Sequence, residues 1–241
     1  MKAVKRDTHR RWQLMDAMRG LAVCLMVVHH LLYDLYYFGF APYTVFSNQV
    51  FDCLHYIFLG VFIVLSGISS RFSRSNGERG LKLLACAAVV TLATWLIGAP
   101  AWFGVLHFLA VAILLYWAVG RFLEKIPFNR GIYLSGVLFC LSLLFIRTTG
   151  LEWKVLWFFG KSSVLNIYSA DYVPLFPWLF VFYFGTVLGG KLREKKPPEP
   201  SRSRPAAFMA GVGQKSLLIY MLHQPVLYGA VWCAREITDM I

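Results

Sequence analysis

Arg19, His30 and Asp34 stand in or beside one apolar stretch, residues 16–35, of membrane-spanning length. Ionisable side chains are costly inside a bilayer, so a segment that keeps them raises a functional hypothesis by default. Eleven positions separate Arg19 from His30, which at about 100° per residue returns them to nearly the same helix face. Asp34 lies four residues beyond His30 and is its neighbour on that face. A guanidinium, an imidazole and a carboxylate in a row suit proton transfer beside an anion: the Arg holds the anion, the His takes the proton, and the Asp orients the imidazole.

The other histidines divide by depth. His223 falls near the middle of the last apolar run and is followed by Gln224 and Pro225, so a bent helix places polar groups on a cavity wall. His55 and His107 fall near membrane surfaces, where a His costs little, and packing competes with chemistry for both. His29 is rotated about 100° from His30 and reads as a packed residue. Arg19 serves equally as a headgroup anchor or as an anion ligand. The candidate catalytic set is therefore His30, Asp34, His107 and His223. Arg19, Arg71, Arg74 and Arg121 are the candidates for an anionic partner.

These residues need helices to hold them. The 241-residue chain is 58% hydrophobic, with mean hydropathy +0.59, well above the 45–50% apolar content of soluble domains. Apolar runs predict an all-α, polytopic membrane bundle of about seven helices, over 16–38, 50–70, 81–97, 102–119, 131–147, 173–190 and 214–235. Residues 1–15 read as a basic N-terminal segment, 16–241 as a single transmembrane domain, and 191–213, rich in Lys, Arg and Pro, as a solvated connector. The aromatic segment 148–172 suits the interface. Cys24, Cys53, Cys86, Cys140 and Cys233 are scattered without a CxxC pair, so neither a metal site nor a disulfide framework is expected.

The net charge of +12 would suit nucleic acid, but its placement points elsewhere. With seven crossings, 20 of the 24 Lys and Arg fall in the N-terminus and the loops on its side. That asymmetry predicts a cytoplasmic N-terminus and an outer C-terminus, and it accounts for the charge without nucleic acid. The His residues of the spans and Asp34 then lie in the middle and outer half, with cations at the inner surface. This division suits a phosphate-rich donor inside and an acceptor outside.

Asp16-x2-Arg19-Gly20 followed by His30 and Asp34 resembles the first helix of the transmembrane acyltransferase superfamily, in which an Arg, ten residues and a His recur. The remaining chain resembles bacterial relatives of the heparan-alpha-glucosaminide N-acetyltransferase catalytic domain. The stretches that carry the resemblance are 62–69 (FIVLSGIS), 104–108 (GVLHF), 171–178 (DYVPLFPW) with Gly185 and Gly189, and 216–225 (SLLIYMLHQP). The resemblance implies transfer of an acyl group, usually acetyl, from cytosolic acyl-CoA to a sugar or glycan across a bacterial cytoplasmic (inner) membrane. It implies acyl-CoA as a substrate rather than a resident cofactor, membrane lipid as surroundings, and room for a homo-oligomer. Arg19 to His30 spans about 16 Å of helix, comparable to an extended pantetheine arm. Two features depart from the family. Seven helices are fewer than its fuller members have, and Pro42–Gln49 lacks the His that the heparan-directed enzyme carries before its second helix. His30 is thus the family-matched candidate, with His55 or His107 as substitutes. A proton-coupled transporter and a non-catalytic scaffold are the competing classes; intramembrane His and Asp favour the former, and no repeat typical of transporters is visible.

Overall fold

The computed structural model describes residues 12–46, 48–96, 98, 100–165, 167, 169, 171–199 and 201–240, and these contain helices and loops without a strand. Most of the expected basic segment 1–15 lies outside them. The helices are α1 (Gln13–Tyr37), α2 (Tyr43–Phe46), α3 (Gln49–Phe72), α4 (Asn76–Leu96), α5 (Val105–Leu123), α6 (Phe128–Thr148), α7 (Trp178–Arg193), α8 (Arg204–Gln214) and α9 (Ser216–Met240). Two 3-10 turns, Lys154–Trp157 and Ser162–Val164, lie between α6 and α7. The fold is the all-α membrane bundle expected. Among the described residues, six helices (α1, α3, α4, α5, α6 and α9) are long and apolar enough to cross a bilayer.

The run at 173–190 yields a shorter helix than expected. Pro174 and Pro177 keep its first turn out of helical geometry, and α7 begins only at Trp178. Its 16 residues measure about 24 Å, against a hydrocarbon core of roughly 30 Å. The run at 131–147, short for a span by sequence, is instead a 21-residue helix. The connector 191–213 also differs from expectation: it opens in the last turn of α7 and closes in α8. Pro205 in the first turn, where its missing N–H costs nothing, is the local reason that α8 starts where it does. The five cysteines are free thiols.

The chain divides into two compact units, one made of Met1–Phe62 with Lys195–Ile241 and the other of Ile63–Glu194, so the division falls inside α3. In the first unit α1 packs against α8 and α9. Gly20 and Gly213 make the α1–α8 approach possible. A Cβ on Gly20 would lie 2.0 Å from the Met209 carbonyl oxygen, and one on Gly213 would lie 1.8 Å from that of Asp16. Ala22, Val23 and Ala210 are buried around this crossing. Backbones this close leave no space for a side chain, which is how small residues serve helix pairs in lipid.

The second unit is centred on α5, nine of whose 19 residues are buried, the largest share of any described helix. Phe108 and Ile113 on α5, with Ile63 from α3, are among its most enclosed side chains. Here α3 and α7 repeat the close approach. A Cβ on Gly67 would meet the Phe182 carbonyl oxygen at 2.2 Å, and one on Gly185 would meet that of Val64 at 2.3 Å. The segment between α6 and α7 is tied down by its own bonds. Lys161 Nζ donates to the carbonyls of Thr149 (2.8 Å) and Leu151 (2.6 Å), and the Tyr172 hydroxyl donates to the Trp157 carbonyl. Burial pushes the Tyr172 phenol up to about 12.

Candidate active site

In the first unit, α1, α3 and α9 bring four imidazoles together. His30 and His223 have ring centroids 4.9 Å apart, His29 and His30 5.7 Å, and His29 and His55 4.5 Å. Phe51, one turn before His55 on α3, stacks on His29 at 4.7 Å with an interplanar angle of 11°. No group of three or more His, Cys, Asp or Glu among the described residues has metal-binding geometry.

His223 is held in a defined tautomer. Its Nδ1 lies 2.7 Å from the Tyr220 carbonyl oxygen, which can only accept, so Nδ1 carries the proton. The lone pair of a neutral ring is then on Nε2, the arrangement a base requires. Pro225 two residues on has no N–H to offer the Met221 carbonyl, so the backbone of α9 is locally released beside this histidine.

Asp34 is 1% exposed and accepts two contacts from the Gln224 amide nitrogen, at 3.0 and 3.3 Å. Sequence spacing pairs Asp34 with His30. The structure gives Asp34 a different hydrogen-bond partner, Gln224, from a helix 190 residues away. A carboxylate only accepts, so the amide must turn its NH2 towards Asp34 and its oxygen away. That oxygen, Gln224 Oε1, is buried and has no hydrogen-bond partner among the described residues. A buried acceptor left unmet is a place for a donor group from outside the chain.

Arg19 sits on α1 with its guanidinium 2.9 Å from the Asp16 carboxylate, and the pair is largely buried. The i,i+3 spacing of Asp16 and Arg19 was the signal for this contact, present in the sequence although only Arg19 drew a role from it. Because α1 is one uninterrupted helix, the rise of about 16 Å from Arg19 to His30 holds.

The remaining expected site residues belong to the second unit. His107 Nε2 lies 3.3 Å from the Thr91 hydroxyl, which gives its own proton to the Ala101 carbonyl at 2.8 Å. His107 is therefore the donor in that contact. Its ring stacks on Phe103, which has a positive φ of 50°. Next to Phe103, Asp171 accepts the Val105 N–H at 3.1 Å and so caps α5. Arg71 pairs with Glu124 and donates to the Tyr116 hydroxyl at 3.3 Å, while that hydroxyl donates to Glu124 at 2.8 Å. A cavity of about 260 Å³ opens here, lined by Arg71, Tyr116, Glu124, Tyr183, Thr186 and Lys191 among others. Arg74 and Arg121 are exposed.

Six helices of membrane-crossing length among the described residues define an integral membrane protein. The family model described as heparan-alpha-glucosaminide N-acetyltransferase, catalytic, matches residues 11–225. The chain belongs to that family, and with it to the membrane acyltransferases. No curated protein and no solved structure shows significant similarity to it.

Proposed function

We propose that this chain moves an acyl group, acetyl in the first instance, from cytosolic acyl-CoA to a hydroxyl or amine of a sugar or glycan on the outer side of a bacterial cytoplasmic membrane. The observation that carries the reading is the group His30, His223, Gln224 and Asp34, gathered from α1 and α9 in a chain of this family. His30 takes the proton of the acceptor O–H or N–H as that atom attacks the thioester carbonyl. The carbon–sulfur bond breaks, and the departing thiolate takes a proton from the donor side. His223, fixed by the Tyr220 carbonyl, lines the opposite side of the reacting centre. Asp34 orients Gln224, whose oxygen accepts a hydrogen bond from the acceptor.

Arg19 is the candidate donor ligand on the helix that bears His30. Arg71, Arg74 and Arg121 are proposed for the donor on the basic character of their loops, and His107 as a second base on the family stretch that contains it. The placement of Lys and Arg supports a cytoplasmic N-terminus and an outer C-terminus. An outer C-terminus makes α7 a seventh, short span, which a locally thinned bilayer accommodates.

The test is to mix the purified protein with radiolabelled acetyl-CoA and a panel of glycans. CoA release with label on a glycan, lost in His30→Ala, is expected. Absence of CoA release and of label on glycan or protein, or an unaffected His30→Ala, contradicts the proposal. Proton-coupled transport is the second reading, since grouped imidazoles also suit it. Uptake driven by a pH gradient without CoA release would put it first.

A further inference from the structure

Two of the four clustered histidines have no part in the bond making just described. His29 and His55 are both half-buried, and His55 is in the second turn of α3, flanked by the exposed residues Leu54 and Tyr56. The centroid separations order the rings as His223, His30, His29, His55. At 4.5 to 5.7 Å between centroids, neighbouring rings are close enough for a hydrogen bond or a single bridging water between their nitrogens. Neutral imidazole accepts a proton on one nitrogen and releases one from the other, so adjacent rings pass protons on. All four rings belong to one compact unit, His55 through the part of α3 before Ile63.

We propose that His30, His29 and His55 form a proton-relay path from the reacting centre to the N-terminal turns of α3, with His223 at its inner end. The connection stands on the ring geometry; the direction of traffic rests on the acyl-transfer reading. The acceptor O–H or N–H bond breaks and its proton enters His30. One proton leaves His30 for His29, one leaves His29 for His55, and one leaves His55 for water on the acceptor side. The thiolate gains its proton from water on the donor side. Each transfer therefore consumes one proton on the donor side and releases one on the acceptor side, and charge balances. Asp52, three residues before His55 on α3, and Asp34, four residues after His30 on α1, are the carboxylates beside the path. Tyr220 and Tyr56 flank its two ends, with ring centroids 5.5 Å from His223 and His55 respectively. Phe51 fixes the plane of His29.

The stacking supplies a control. His29→Phe keeps an aromatic ring against Phe51 and removes the nitrogens, so a packing role survives it and a relay does not. The experiment is magnetic resonance of the protein with nitrogen-15 histidine in lipid bilayers, reading exchange of the His30 ring proton with water. Exchange is expected to slow about tenfold or more in His29→Phe and in His55→Gln, equivalent to at least about 1.4 kcal/mol of barrier. Free imidazole in the buffer should restore it in His55→Gln, where the site is accessible from outside, and not in His29→Phe. His55→Asn serves as a second variant should His55→Gln fail to fold. Unchanged exchange in folded His29→Phe and His55 variants overturns the relay, as does slowed exchange that imidazole fails to restore in the His55 variant. CoA release by the wild-type protein, measured in parallel, keeps the two ideas apart: its absence removes the acyl-transfer reading, while the exchange rates still decide the relay.

Discussion

In the proposed mechanism His30 is the base and needs neighbours that hold it in place, and Asp34 enters through its bond to Gln224. Removing the amide with Gln224→Leu leaves a buried carboxylate without its donor, a loss of about 1–3 kcal/mol or more. A lower melting temperature together with lower CoA release is expected. The double variant Asp34→Leu/Gln224→Leu should recover the melting temperature but not the activity. Recovery of both would show that the pair serves packing alone. His30→Ala should reduce CoA release by about 10²- to 10⁴-fold, the usual contribution of a positioned base. Much of this group was legible beforehand. An Arg, a His and an Asp on one apolar face announce themselves by cost, and His223 does so beside Pro225. The Asp34–Gln224 bond was not legible, because a partner 190 residues away leaves no spacing to read. By sequence His29 has only a packing role, because it is rotated about 100° from His30, and His55 only a substitute's role, because a histidine near an interface is cheap. Only the convergence of α1 and α3 brings their rings together.

Helix pairs without side chains between them have little tolerance. Gly20→Ala and Gly213→Ala each drive a Cβ to within about 2 Å of a facing carbonyl oxygen. Either should destabilise the α1–α8 pair by about 1–3 kcal/mol or more. Gly211→Ala, whose Cβ would meet nothing within 4 Å, should be neutral or slightly stabilising. Thermal unfolding in detergent separates the three; equal melting temperatures would mean that α8 does not hold α1 in this way.

The segment between α6 and α7 makes a separate prediction. The Tyr172 phenol, pushed up to about 12 by burial, must stay protonated to keep its bond to the Trp157 carbonyl. Its folded value lies above the unfolded one, so this contribution is complete below about pH 10 and is lost as pH rises towards 12. Tyr172→Phe should lower stability by about 1 kcal/mol at neutral pH and flatten the alkaline fall. Sequence periodicity captured the long helices because lipid-length apolar runs are unambiguous. It passed over α8 because charge and proline at 191–205 outweighed the small helical stretch after Ser203, and it began α7 too early because two prolines looked apolar.

At the scale of the whole molecule, Lys and Arg concentrate on one side of the predicted loops. That asymmetry is legible in the sequence, and the proposed sides of donor and acceptor rest on it. A reporter fused after residue 241 that works only outside the cytoplasm should be active; activity only from a cytoplasmic reporter would reverse the C-terminal side. The central claim is that acyl transfer occurs at the histidine cluster of α1, α3 and α9. The most direct measurement is an experimental structure of the protein in lipid with a non-hydrolysable acyl-CoA bound. The thioester position should lie beside His30 and His223, within hydrogen-bond reach of one of them, with the CoA phosphates on the basic side. A thioester group beside His107, with the cluster of His30 and His223 unoccupied, would contradict the account.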